Sequence, residues 1–184
     1  MKKIFLITIL GVISMLGSCK SRDLNYYNNT KPEFNLREYF TGNIKAWGII
    51  QDWRRRVTTK FDVDMVGSWE GNTGTLEEDF TFYDGKKQQR TWKIVQNKDG
   101  TYLGSAHDII GNASGESSGS AMNWKYSMYI TVDNSTYRVK FDDWMWQMND
   151  GIVINRSYIK KFGITVAELT LFMKKKDWVN EIQQ

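Results

Sequence analysis

The chain has 184 residues, of which 41% are hydrophobic and 14% aromatic, with a net charge of +4, one cysteine and one histidine. That length suits a single domain with a sizeable core, while the small charge argues against nucleic acid, whose phosphates call for a strongly basic face. A lone cysteine excludes an internal disulfide, and with one histidine it cannot supply the four ligands of a structural zinc site.

At the N-terminus, Lys2 and Lys3 precede a nearly unbroken apolar run from Ile4 to Leu16. This is the layout of a secretory signal, too short to span a bilayer stably, and residues 1–18 are read as a signal peptide. Leu16-Gly17-Ser18-Cys19 resembles the bacterial lipobox. In that reading the Cys19 thiol takes a diacylglyceryl group and starts the mature chain, and the small residues let a peptidase grip an extended backbone. Two or three acyl chains, at roughly 0.8 kcal/mol per buried methylene, anchor a protein to a membrane effectively for good. Removing residues 1–18 takes away two of the 25 basic side chains and none of the 21 acidic ones, which leaves 166 residues and a charge of +2. Lys20 stands where an inner-membrane retention signal would place Asp, so the expected address is the Gram-negative envelope, lipid-anchored at the outer membrane. Residues 19–38, polar and aperiodic, are expected to be a lipidated tether.

From residue 39 to 184 a single β-barrel domain is expected, because the period becomes two. Phe61, Val63, Met65 and Trp69 alternate with polar residues, as do Trp124, Tyr126, Met128 and Ile130, and then Tyr137, Val139 and Phe141. Hairpin signals stand at Asp84-Gly85, Asp99-Gly100, Asp133-Asn134 and Asp150-Gly151. Strands are expected near 43–52, 57–69, 73–83, 88–97, 101–107, 121–133, 135–146, 151–160 and 163–173. Nine antiparallel strands on short turns predict an all-β, up-and-down barrel, which closes on itself and leaves no edge. A two-sheet sandwich fits the same pattern. Gly111 to Gly119, small and polar, reads as the longest flexible loop, and the tail KKKDWVNEIQQ as a short C-terminal helix carrying Trp178.

Residues able to do chemistry are few. His107 is followed by Asp108, and adjacent strand residues point to opposite faces, so the two make a poor start for a triad. No calcium-loop spacing is present, and no metal or cofactor is expected. Arg54-Arg55-Arg56 reads as a solvated turn. Four charges fall in phase with apolar faces instead. Glu78 shares a face with Leu76 and Phe80, Arg90 with Trp92 and Ile94, Asp143 with Val139 and Phe141, and Arg156 with Ile154 and Tyr158. Pointing inward, they form an interior network that must pair, because a lone buried charge costs several kcal/mol. Either they close one end and fix strand register, or Arg90 and Arg156 offer cations to a carboxylate or phosphate headgroup.

The stretches NIKAWGIIQDWRRRVTTKFDVDMVGSWEG, LEEDFTFYDGKKQQRTWKI, GESSGSAMNWKYSMYITV and FDDWMWQMNDGIVINRSYIKKFGITVAELTLF resemble the bacterial lipoprotein family known as domain of unknown function 3833. The resemblance runs from Tyr39 to Lys174, with Trp53 as a departure. It implies a lipocalin-like barrel and a connection to lipid, and no assigned reaction. The combined expectation is an envelope lipoprotein whose barrel binds or shields a fatty-acyl or anionic amphiphile such as a fatty acid or phospholipid, without catalysis. The alternatives are an enzyme acting on envelope lipids with Glu78 or Asp143 as acid or base, and a structural lipoprotein with a filled barrel.

Overall fold

The computed structural model describes residues 22–176. The signal peptide, Cys19 and the tail around Trp178 therefore lie outside the described residues. Ten strands follow in chain order: β1 (Gly42–Asp52), β2 (Val57–Glu70), β3 (Thr73–Phe82), β4 (Lys87–Gln96), β5 (Tyr102–Ser105), β6 (Ala113–Ser118), β7 (Ala121–Val132), β8 (Ser135–Gln147), β9 (Ile152–Lys161) and β10 (Ile164–Lys175). Each pairs antiparallel with its neighbours in sequence, and β1 closes onto β10 from Ile44 opposite Lys175 to Asp52 opposite Ala167. The result is a closed, antiparallel up-and-down barrel. The sandwich is excluded by that last pairing, which leaves no free edge.

The strand missing from the sequence reading is β6, which lies in the segment expected to be a loop. Its composition is small because a large neighbour needs the room. Gly115 sits opposite Trp124 of β7, and a Cβ on Gly115 would lie 2.3 Å from the indole. Trp124 is buried at the β4–β7 side, edge-on to Trp92 at 5.7 Å between rings. β5 and β6 are also short, with 4 and 6 residues where the other strands have 10 to 14. Beyond their ends the wall is completed by the loop 106–112, whose Ile110 N–H donates to the Ser127 carbonyl at 2.7 Å.

Residues 34–40 are a plug and residues 22–30 run along the outer wall, so the segment expected to be a tether through residue 38 is packed onto the barrel from Arg22 onward. A 3-10 turn at Leu24–Tyr27 lays Tyr27 beside Trp144 on the outer wall. Thr30 and Ser120 share a hydroxyl hydrogen bond of 2.8 Å, and the Phe34 N–H donates to the Gly119 carbonyl at 2.7 Å. The helix α1 (Leu36–Tyr39) is capped by Asn35, whose side-chain oxygen accepts from the Glu38 N–H. Phe34, Leu36, Tyr39 and Phe40 are all buried across one barrel end. At roughly 1.5–3 kcal/mol per large apolar side chain, that burial holds the segment down. Gly67 allows the close approach, since a Cβ there would fall 1.7 Å from the Phe40 carbonyl oxygen. Four apolar residues spaced through a polar segment show no strand period, which is why they pass for linker.

Candidate ligand site inside the barrel

Strand register alone brings several polar groups to one level of the interior. Glu78 of β3 lies directly opposite Arg90 of β4, and Asp143 of β8 lies between Trp124 of β7 and Ser157 of β9. Tyr126, two residues after Trp124, points inward to the same level, with its ring stacked on Phe141 at 4.8 Å. Asp108 then reaches in from the loop beyond β5. The guanidinium of Arg90 donates to Asp108 through Nε at 2.9 Å and lies 2.8 Å away through Nη2. Its Nη1 is 3.9 Å from Glu78 Oε2, an ion pair without a hydrogen bond. Only 12% of the surface of each of these two side chains is open, so solvent screens the pair poorly.

One guanidinium thus faces three carboxyls. Burial pushes Glu78 up to about 7 against the pull of Arg90. Burial likewise pushes Asp143 up to about 7, against the hydroxyl of Ser157 and the charge of Arg90. The phenol of Tyr126 is held far above its ordinary value by burial and then by Asp143. Burial would lower Arg90, but Tyr126, Glu78 and Asp108 outweigh it and keep the side chain charged. Glu78 Oε2, Asp108 Oδ1 and Asp143 Oδ1 are closed off from solvent with no hydrogen-bond partner among the described residues. Unpartnered buried acceptors of this kind call for a donor.

Below this level, towards the plug, lies a cavity of about 90 Å³ lined by Leu36, Phe40, Leu76, Trp92, Met145 and Met173 with Glu78 and Arg90. Above it the inward positions stay apolar but only half-buried, among them Ile50, Phe80, Phe82, Ile130 and Leu169. The end opposite the plug is therefore the more open one.

The structure gathers Glu78, Arg90 and Asp143 inside the barrel and leaves Arg156 out. On β9 the buried inward side chains are Val153, Asn155, Ser157 and Ile159. Arg156 faces outward, 3.8 Å from Glu168 and 44% exposed. The phase misled because Ile154 and Tyr158 are apolar residues of the outer wall. Ile154 lies opposite Phe172 and Trp146, and Tyr158 lies under the guanidinium of Arg22, 3.5 Å from its ring centre. The picture of two interior arginines offered to an anionic headgroup is corrected accordingly, since the one that is inside already holds Asp108.

Asp108 is the member that sequence reasoning missed. It sits in a loop, where alternation has no meaning, and neighbours the exposed His107. Arg56 bonds Asp52 within its own turn at 2.6 Å, as a solvated loop would. Among the described residues no three or more His, Cys, Asp or Glu side chains are grouped to hold a metal ion.

Solved structures with a similar course include lobster apocrustacyanin A1, at 14% identity over 80% of this chain and 69% of that one with a TM-score of 0.34. Apocrustacyanin C2 follows at 15% identity, the same coverage and a TM-score of 0.32. These overlaps are loose, and the barrel assignment rests on strand pairing. Among curated proteins no match was found. A family model described as "Protein of unknown function (DUF3833)" matches residues 13–175, nearly the whole chain, and the protein belongs to that family.

Proposed function

We propose that this protein is an envelope lipoprotein, acylated on Cys19 and carried at the outer membrane, whose barrel binds one end of an amphiphile without catalysis. The observation that carries this reading is an apolar chamber with Glu78 and Arg90 in its wall, Glu78 keeping an unpartnered carboxyl oxygen there. Ligand sites combine apolar walls with a few placed polar groups. In this wall Arg90 is already held by Asp108 while Glu78 keeps a free acceptor, so the matching ligand end bears donors, an amine or hydroxyls, rather than a phosphate or carboxylate. The chamber's 90 Å³ compares with roughly 300–1,000 Å³ for sites that enclose a drug-sized ligand. It takes a headgroup-sized fragment and a few carbons, with the remaining chain lying along the half-buried residues towards the open end. Glu78 and Asp143 titrate near 7, a value suited to acid–base work. Asp143 does not line the chamber, however, and an acid or base must reach the bond it serves; Glu78 alone meets the ligand, which favours binding over turnover.

The small volume also favours a second reading, a filled barrel that serves assembly. The test begins with the acylated protein extracted from membranes, its bound amphiphiles identified by mass spectrometry. Melting is then followed with added alkylamine, alkyl glycoside and fatty acid. Amine or hydroxyl amphiphiles should co-purify and raise the melting temperature, and Glu78→Gln should weaken the effect. Preference for the fatty acid would overturn the acceptor assignment. No response to any of the three would leave the filled barrel as the correct reading. The anchor is checked separately, since Cys19→Ser should abolish the acyl mass.

A further inference from the structure

The outer wall of the barrel is divided by charge. On β7, β8 and β9 the outward side chains include Lys125, Arg138, Lys140, Arg156 and Lys160, with Asp142 the only acid. On β2 and β3 they include Asp62, Asp64, Glu70, Glu77 and Asp79, with Lys60 the only base. In the ring of ten strands these two sectors stand opposite one another. Lys140 lies directly across from Lys160 on the neighbouring strand, a like-charge pairing that weakens a sheet unless something anionic covers it. Lys160 is bonded to Asp142 at 2.6 Å, whereas Lys125, Arg138 and Lys140 make no salt bridge among the described residues. Tyr129, opposite Arg138, is 60% exposed on the same wall.

The chain enters the structure at this wall. Arg22 lies over Tyr158, which is opposite Asp142, which is in turn opposite Lys125. Cys19 is three residues before Arg22. Three residues reach at most about 11 Å when fully extended, or roughly two strand spacings at about 4.8 Å each. An acyl group on Cys19 is thus tied close to the β7–β9 wall and cannot pass round to β2–β3.

We infer that the β7–β9 wall is the membrane-facing side of the barrel, lying on a bilayer that carries anionic phospholipid, with the acidic β2–β3 wall turned away. This rests on acylation of Cys19 as proposed above. The short connection sets which side faces the bilayer, and the unpaired Lys125, Arg138 and Lys140 attract its anionic headgroups within a Debye length. Tyr129 offers an aromatic ring at headgroup level, where such side chains settle.

The experiment uses the full acylated protein in vesicles of phosphatidylcholine containing phosphatidylglycerol. Acylation occupies Cys19, so Tyr129→Cys and Asp79→Cys each provide one free thiol for a fluorophore, and quenching by a headgroup spin-labelled lipid is measured. Quenching at position 129 should exceed that at 79 several-fold. Lys125→Glu with Lys140→Glu should remove most of that excess while the acyl mass on Cys19 persists. Equal quenching at the two positions, or more at 79, with Cys19 acylated overturns the orientation alone. An excess that survives the double charge reversal overturns the role of the lysines. An unacylated Cys19 in membrane-extracted protein overturns both the anchor and the orientation that depends on it.

Discussion

The Arg90 guanidinium grips Asp108 at 2.8 Å, joining a strand of the barrel to the loop that completes the wall where β5 and β6 end. Removing the cation leaves Asp108 and Glu78 facing each other without compensation. Arg90→Met should destabilise the protein by about 3–5 kcal/mol at pH 8, as breaking a buried pair does. At pH 5, with Glu78 and Asp143 neutral, part of that loss should be recovered. Chemical denaturation at the two pH values measures both figures. Equal loss at each would mean that the charge of Arg90 is not coupled to Glu78 and Asp143.

The acids of the same layer make stability depend on pH in an unusual direction. Glu78 and Asp143 are both pushed up to about 7 by burial, so each holds its proton more tightly folded than unfolded. Their contribution is complete below the unfolded carboxyl range, about pH 4, and is lost as pH rises through about 7. Asp64 and Asp142 are held low by their lysines, Asp142 against its burial, and act with the opposite sign at the acid end. Melting temperature should therefore climb as pH falls from 8 to 5, by an amount worth a few kcal/mol, and turn down again below about 4. Asp143→Asn, which keeps the side chain neutral, should raise stability at pH 8 and change little at pH 5. A melting temperature that rises with pH through this window would exclude an excess of buried acid.

The interior residues show where sequence pattern is informative. Alternation locates Glu78, Arg90 and Asp143 because their strands carry apolar residues on one face and polar ones on the other, which is the condition for a readable phase. It fails on β9, where both faces are partly apolar and the inward one holds Asn155 and Ser157. It is silent on Asp108, whose direction is set by a loop. It also hides β6, because the space that a strand residue normally fills is taken there by the Trp124 ring. The plug is invisible for a related reason. Leu36 and Phe40 are set inward by one turn of helix, and so short a helix has no period to read.

Arg156 gives a negative test of the corrected phase. Its contact with Glu168 at 3.8 Å is solvent-screened, with 44% and 39% of the two side chains exposed, and exposed pairs contribute roughly 0–1 kcal/mol. Arg156→Met should leave the denaturation midpoint nearly unchanged at pH 5 and at pH 8. A loss of several kcal/mol would return this side chain to the interior.

Gly115 offers the sharpest test of β6. The strand exists as such because the Trp124 indole occupies the side-chain space of Gly115, leaving 2.3 Å to a new Cβ where ordinary contact needs well over 3 Å. The ring cannot retreat easily, since it is packed edge-on to Trp92 at 5.7 Å. Gly115→Ala should then cost about 1–3 kcal/mol as an overpacked core does, in spite of alanine's better fit to regular backbone. Trp124→Leu alone should cost several kcal/mol through the cavity it opens. Combined with it, Gly115→Ala should become neutral or slightly favourable, because the clash has gone and the methyl fills space. A double-mutant cycle reads this as a coupling of 1 kcal/mol or more between the two sites. Additive effects would mean that residues 113–118 do not lie under the indole, and the segment would go back to being the loop its composition suggests.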